Sequence, residues 1–289
     1  YGVWSFVGGT VTTALLTAAI SWSMIHHKPG LRWDSKLVRE FLAFGLPFQF
    51  NTITNDAAGW VIPLVSGIWL GPVAVGLLTW ASSNGRRPLM VVESVMRVAF
   101  PHFSRLQEHP EELGRQVSLY FRRLLTICWA WTFLAFLLGS TMTTIVYTDK
   151  WQPGVLALQL FAAGLVTDVA NWVGGMTLNA IGGVRETAKW TTVKSVLSIG
   201  GAFAFMQWFG LPGIPLAALL ASGVSATGIL FRLRGRIPID HTQILRPAIP
   251  FLVASIGYAP FLLLGGRLQS VAAWVFGVGA IAWTGWKLV

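Results

Sequence analysis

Three charged residues, Arg86, Arg87 and Glu93, lie inside the long apolar stretch formed by residues 70–108. A charge at the centre of a bilayer costs about 2.5–3.5 kcal/mol on insertion scales, so such residues usually face the interior of a helix bundle or a hydrated cavity. Arginine suits an anionic ligand because its planar guanidinium offers several charge-assisted donors to phosphate oxygens. The arginine pair therefore predicts a cavity that binds an anionic group.

Polar side chains share one side of this stretch if it forms a single helical span. At about 100° per residue, the positions on that side are Thr79, Ser82, Arg86, Met90, Glu93 and Arg97. Two alternatives to a cavity remain open. The arginines can extend toward the headgroups along their aliphatic stems, and Glu93 can pair with Arg97 one turn away.

Two further apolar stretches, residues 37–70 and 155–181, also contain polar side chains. The first holds Asn51, Thr52, Thr54, Asn55 and Asp56, and the second has Gly164, Asp168, Asn171, Trp172, Gly175 and Asn179 on one face. The predicted cavity residues are Arg86, Arg87, Glu93, Asn51 and Asn55. Asp56 and Asp168 either make structural hydrogen bonds between helices or bind the protons or cations that drive transport.

The composition is that of a polytopic helical membrane protein. Of the 289 residues, 54% are hydrophobic and 11% are charged, and the mean hydropathy is +0.62. Apolar runs of membrane-spanning length predict an all-α chain of about nine transmembrane helices. The predicted spans are residues 3–25, 37–70, 70–108, 124–147, 155–181, 191–209, 211–231, 247–265 and 270–289. The basic segment 102–123 is expected along the membrane surface, and the single Cys128 is expected to serve packing.

Basic residues are concentrated in the loops on one side of this map. The loops at 26–39, 97–123, 185–194 and 232–246, together with the C-terminus, hold 17 of the 21 Lys and Arg residues. Because loops rich in Lys and Arg stay in the cytoplasm, this side and the C-terminus are predicted to be cytoplasmic. The formal net charge of +10 therefore indicates topology rather than a nucleic-acid partner.

Three segments carry a resemblance to a known family. They are YGVWSFVGG at residues 1–9, GPVAVGLLTWASSNGRRP…VMRVAFPHFSRLQ within residues 71–107, and FGLPGIPLAALLASG at residues 209–223. With these segments the chain resembles the bacterial Wzx-type oligosaccharide and polysaccharide flippases of the multidrug/oligosaccharidyl-lipid/polysaccharide exporter superfamily. It is similar to the C-terminal portion of such proteins.

The resemblance implies a division of the chain into three parts. Residues 1–36 would hold the last helix of a first lobe and a cytoplasmic inter-lobe loop. Residues 37–231 would form the second six-helix transmembrane lobe, and residues 232–289 a cytoplasmic loop and an extra C-terminal hairpin. A helical bundle with its cavity between two lobes is the architecture expected.

The resemblance also implies a function. It is the translocation of a polyprenyl-diphosphate-linked oligosaccharide across the bacterial inner membrane by alternating access, for surface polysaccharide such as lipopolysaccharide O-antigen. The implied partners are the lipid-linked oligosaccharide, membrane lipids, and the polymerase and glycosyltransferases of the same pathway. Family members commonly have a smaller, less charged sequence where this chain has Asn84, Gly85, Arg86 and Arg87. A binding role for these arginines is therefore an inference from their chemistry.

The alternative function is a cation-coupled multidrug-type antiporter of the same superfamily. Carboxylates at Asp56, Glu93 and Asp168 would serve it, whereas the two arginines disfavour a cationic substrate. An enzyme is not expected, because the sequence has no Walker loop, nucleophile elbow or paired-carboxylate signature. No catalytic residue, cofactor or metal site is assigned.

Overall fold

A computed structural model describes residues 4–24, 34–240, 242, 246–251 and 253. In these residues the chain forms eight α-helices, one short 3-10 helix and no β-strand, which confirms the all-α fold class. The α-helices are α1 (Trp4–Met24), α2 (Ser35–Leu70), α3 (Pro72–Gly85), α4 (Leu89–Arg105), α5 (Pro110–Val146), α6 (Val155–Ala180), α7 (Val184–Phe209) and α8 (Gly213–Arg234). The 3-10 helix is Asp149–Gly154. The predicted hairpin over residues 247–289 lies outside the described residues, apart from 247–251 and 253.

Four segments of the described chain are long and apolar enough to cross a membrane. They are Val7–Met24, Pro110–Val146, Asp149–Ala180 and Gly213–Arg234. Large apolar side chains on these helices are exposed, including Leu15, Trp22, Ile145 and Phe231. Apolar surface on this scale is unfavourable in water and suits a lipid environment. The chain is a multi-pass membrane protein.

The chain divides into two compact units, Tyr1–Pro47 and Phe48–Val289. In the first unit, the described side chains of α1 are exposed along the whole helix. The hydroxyls of Thr13 and Thr17 donate to the carbonyls of Gly9 and Thr13, one turn earlier, at 2.8 Å each. These polar groups are thereby satisfied within the helix, as an apolar environment requires.

In the second unit, α6 is the central helix and packs against α3, α4, α5, α7 and α8. Two hydrophobic clusters form along it. One includes Phe103 of α4 and Phe121 of α5, and the other includes Trp80 of α3 and Phe161 of α6. α3 packs in one cluster and α4 in the other, so both helices that flank the turn at residues 86–88 are anchored in the core.

The predicted span over residues 70–108 is not one helix. α3 ends at Gly85, a turn occupies residues 86–88, and α4 begins at Leu89. Pro88 has no N–H, and in a continuous helix its ring would collide with the carbonyl four residues earlier. The amide of Leu89 therefore donates to the carbonyl of Arg86 at 3.0 Å, only three residues back. The prediction of an unbroken span is wrong because Pro88 ends α3.

Gly85 lets the end of α3 lie directly against α6. A Cβ atom at this position would lie 2.7 Å from the carbonyl oxygen of Leu158 and 2.8 Å from the Cβ of Phe161. Both distances are too short for real Cβ contacts, so the hydrogen of glycine is what permits this approach. The next residue, Arg86, is thereby placed beside α6.

The segment 102–123 is not a separate surface helix, contrary to prediction. Residues 110–123 are the beginning of α5, which continues without a break to Val146. Its apolar residues Leu113, Val117 and Phe121 are fully buried in the protein core. The amphipathic pattern is therefore explained by packing against the protein, which gives the same periodicity as binding to a membrane surface.

The predicted basic loop at residues 185–194 is helical and lies within α7. Gly182 adopts a positive φ of 81° after α6, and α7 begins at Val184. The chain reverses within a few residues because glycine tolerates this left-handed conformation. Lys194, which the sequence pattern assigned to a cytoplasmic loop, consequently lies within α7.

Candidate functional site

A cavity of about 360 Å³ lies among helices of the second unit. Its walls come from α2, α3, α4, α6, α7 and α8 and from the turn after α3. Three of the described lining residues are charged, namely Arg86, Asp168 and Lys194. The lining hydroxyls are Thr79, Ser82, Ser195 and Ser198, and the aromatic rings are Phe161 and Trp172. Two cations against one carboxylate give the lining a net positive charge.

Arg86 and Asp168 form an ion pair across this cavity. The Nε of Arg86 lies 3.5 Å from Oδ2 of Asp168, and the centre of its guanidinium lies 4.8 Å from the centroid of the Phe161 ring. This Nε is buried and makes no hydrogen bond to any described residue. The contact is therefore an electrostatic pairing through one nitrogen rather than the bidentate hydrogen-bonded geometry that arginine forms with carboxylates. The remaining donors of the guanidinium stay available.

Asp168 is buried and also takes part in a polar network between α6 and α8. The hydroxyl of Ser222 donates to Oδ1 of Asp168 at 2.8 Å. The amide of Asn171 donates to the Ser222 hydroxyl at 3.1 Å, and the hydroxyl of Ser225 donates to Oδ1 of Asn171 at 2.6 Å. Each carboxylate oxygen of Asp168 thus has a different partner, Ser222 on one side and Arg86 on the other.

Lys194 is the site residue that the sequence reasoning missed. It lines the cavity from α7 beside Ser195 and Ser198. In the described part of the chain, no carboxylate lies within ion-pair distance of it. The available signal was a single lysine between apolar and hydroxyl residues, but the charge count assigned Lys194 to the basic loop at 185–194, although the predicted span began at residue 191.

Arg87 and Glu93 lie outside the cavity lining. Arg87 is exposed, and its Nε donates to Oδ1 of Asn84 at 3.2 Å. Glu93 is partly buried on α4, and the described chain shows no ion pair between it and Arg97. The predicted polar stripe therefore reaches the cavity only as far as Arg86, since the turn at Pro88 changes the direction of the residues that follow.

The remaining predicted residues lie on α2. Asp56 is exposed and is not part of the cavity lining, although Ala58 and Gly59 nearby are. The side chains of Asn51 and Asn55 lie outside the described part of the structure. The structure thus joins Arg86 and Asp168 in one site and does not bring Asp56 to it. Cys128 is fully buried in the core, as expected for a packing role.

Comparisons with known proteins place the chain in a family. A model of the family described as polysaccharide biosynthesis protein matches residues 1–156, more than half of the chain. The lipopolysaccharide biosynthesis protein WzxC of Escherichia coli (strain K12) is 28% identical over 158 residues, which are 53% of this chain and 31% of WzxC. Among solved structures, lipid II flippase MurJ in an inward closed conformation has a TM-score of 0.73 and 16% identity, over 94% of this chain and 58% of MurJ.

The likeness to MurJ, at this identity, shows a shared fold. The chain spans less than two thirds of the length of either relative. Residues 1–156 include Arg86, whereas Asp168 and Lys194 lie beyond the matched residues. From the family match, the chain belongs to the polysaccharide biosynthesis protein family.

Proposed function

We propose that the full-length protein translocates a polyprenyl-diphosphate-linked oligosaccharide across the bacterial inner membrane for surface polysaccharide biosynthesis. The observation that carries this proposal is the cavity, whose described lining residues include Arg86 and Lys194 against one carboxylate, Asp168. A diphosphate needs several positively charged donors, and both side chains supply them. Membership of a polysaccharide biosynthesis family and the fold shared with a lipid flippase support the same substrate class.

The cavity also contains groups suited to a sugar next to the diphosphate. The hydroxyls of Ser195 and Ser198 can donate to and accept from sugar hydroxyls. Phe161 and Trp172 provide aromatic surface, and the indole N–H of Trp172 is a further donor type. In this proposal the head group lies among α3, α6 and α7, and the polyprenyl chain remains in lipid.

Alternating access is the proposed mechanism. A flippase must expose its head-group site first to one side of the membrane and then to the other, which requires two bodies that move against each other. The chain described here would supply one wall of that site in the full-length protein. The chain shares its fold with a flippase whose structure is described as an inward closed conformation.

Transport by reconstituted full-length protein tests the function. A polyprenyl-diphosphate oligosaccharide with a fluorescent label on the glycan is placed in vesicles, and dithionite is added outside. In protein-free vesicles only the outer-leaflet label should be quenched, whereas active protein should make nearly all label accessible. An organic cation such as ethidium, offered in parallel vesicles, should not be moved. Cation transport with an unmoved lipid would favour the antiporter and contradict the proposal.

We further propose that the basic side of the chain, including the C-terminus, is cytoplasmic. Arg234 and Lys150 are both exposed and lie at opposite ends of the described bundle, Arg234 at the last residue of α8 and Lys150 in the 3-10 helix after α5. In a Cys128→Ser background, a membrane-impermeant thiol reagent added to intact cells should label Lys150→Cys and leave Arg234→Cys unlabelled until the cells are opened. Labelling of Arg234→Cys alone in intact cells would reverse the orientation.

A further inference from the structure

Arg86 has two competing anionic partners if the proposed function holds. In the structure described here, its guanidinium pairs with Asp168 in the cavity that would receive the head group. We propose that the diphosphate displaces Asp168 from Arg86, and that Asp168 then takes up a proton. This inference rests on the proposed function and deepens it, because it names the residue whose charge changes when the head group binds.

The burial of Asp168 makes the proton uptake necessary. The side chain is 7% exposed, whereas that of Arg86 is 35% exposed. A buried carboxylate is tolerated when an opposite charge and hydrogen bonds compensate for the lost water. When Arg86 turns to the head group, the hydroxyl of Ser222 is the one partner that Asp168 retains among the described residues. Loss of the opposite charge favours the neutral form of a buried carboxyl group.

The ion pair has a geometry that a phosphate can outcompete. It joins one nitrogen of Arg86 to one oxygen of Asp168 at 3.5 Å and includes no hydrogen bond. A diphosphate oxygen can accept short charge-assisted hydrogen bonds from the same guanidinium. Arg86 lies in the turn between α3 and α4 rather than inside a helix, and its partly exposed side chain can reorient within the cavity.

The other charged and titratable groups around Asp168 leave it as the proton acceptor. Lys194 lines the same cavity from α7, and the buried Cys128 of α5 packs in the hydrophobic cluster that includes Leu165 and Val169 of α6. Ser222 and Asn171 contribute only neutral hydrogen-bonding groups. Lys194 would itself pair with the anionic head group. The proton comes from solvent, joins a carboxylate oxygen of Asp168, and leaves when Arg86 returns.

Calorimetric titration of the full-length protein with farnesyl diphosphate tests the exchange. Repeating the titration in buffers of different ionisation enthalpy gives the number of protons taken up on binding. Wild type should take up about one proton more per bound ligand than Asp168→Asn. Protonation of the ligand itself is common to both proteins and cancels in this difference. Asp149→Asn, which changes an exposed carboxylate outside the cavity, should match wild type.

The outcomes separate this inference from the proposed function. Equal proton uptake by wild type and Asp168→Asn, with binding intact, would overturn the exchange and leave the proposed function standing. Failure of wild type to bind the diphosphate would overturn both. If Asp168→Asn does not fold, infrared difference spectra of wild type decide the matter. A protonated carboxyl band should appear when farnesyl diphosphate is added, and its absence would refute the exchange.

Discussion

Replacing Arg86 by glutamine in the full-length protein should abolish export of surface polysaccharide, whereas Arg87→Gln should leave export close to wild type. Arg86 lines the cavity and pairs with Asp168, while Arg87 is exposed and bonded to Asn84. A hydrogen bond to a charged group contributes about 1.5–3 kcal/mol, so loss of the guanidinium should weaken head-group binding roughly tenfold to a hundredfold. Surface polysaccharide in a strain that lacks the chromosomal gene measures the effect.

The two neighbouring arginines serve as matched controls, because both substitutions remove one charge from the same turn. Arg86→Lys should restore export only in part, since an ammonium is a point charge without the planar fork of donors. Lys194→Gln should also reduce export, because it removes the other cation of the lining. Normal export by Arg86→Gln, at wild-type protein levels, would remove Arg86 from the substrate site. Equal losses for Arg86→Gln and Arg87→Gln would point to a folding effect instead.

Gly85→Val should strongly destabilise the protein, whereas Gly76→Val in the same helix should not. A Cβ at Gly85 would lie 2.7 Å from the carbonyl oxygen of Leu158, and a backbone carbonyl of α6 cannot move aside as a side chain can. At Gly76 a Cβ meets nothing within 4 Å. Overpacking of this kind typically costs about 1–3 kcal/mol and shifts the helices apart. Thermal unfolding of the detergent-solubilised proteins measures the difference.

Gly76→Val controls for the intrinsic effect of a β-branched residue in α3. Both variants replace glycine in one helix, so their difference reports the contact with α6. Similar thermal unfolding midpoints for the two variants would show that α3 and α6 do not approach each other at Gly85 as closely as described. A destabilised Gly85→Val would also lose transport, since Arg86 is placed beside α6 by that contact.

The sequence by itself determined the membrane class and most of the helices. Long apolar runs require helices in a bilayer because backbone groups must be satisfied internally, and this is readable from composition and length. The predicted spans at residues 3–25, 155–181 and 211–231 correspond to α1, α6 and α8. Arg86 and Asp168 were also identified individually, since an ionisable residue in an apolar helix is conspicuous at any sequence position.

Only the tertiary structure decided which charged residues act together. Arg86 and Asp168 are far apart in the chain, and their pairing depends on the packing of α3 against α6 through Gly85. Hydrophobic periodicity assigned the amphipathic start of α5 to the membrane surface, since burial against protein and against lipid produces the same pattern. Arg87 was predicted to line the cavity and does not, whereas Lys194 was not predicted and does. The helix break at Pro88 leaves Arg87 outside the cavity lining, and the packing of α7 places Lys194 in it. Such directions depend on contacts between helices rather than on residue type.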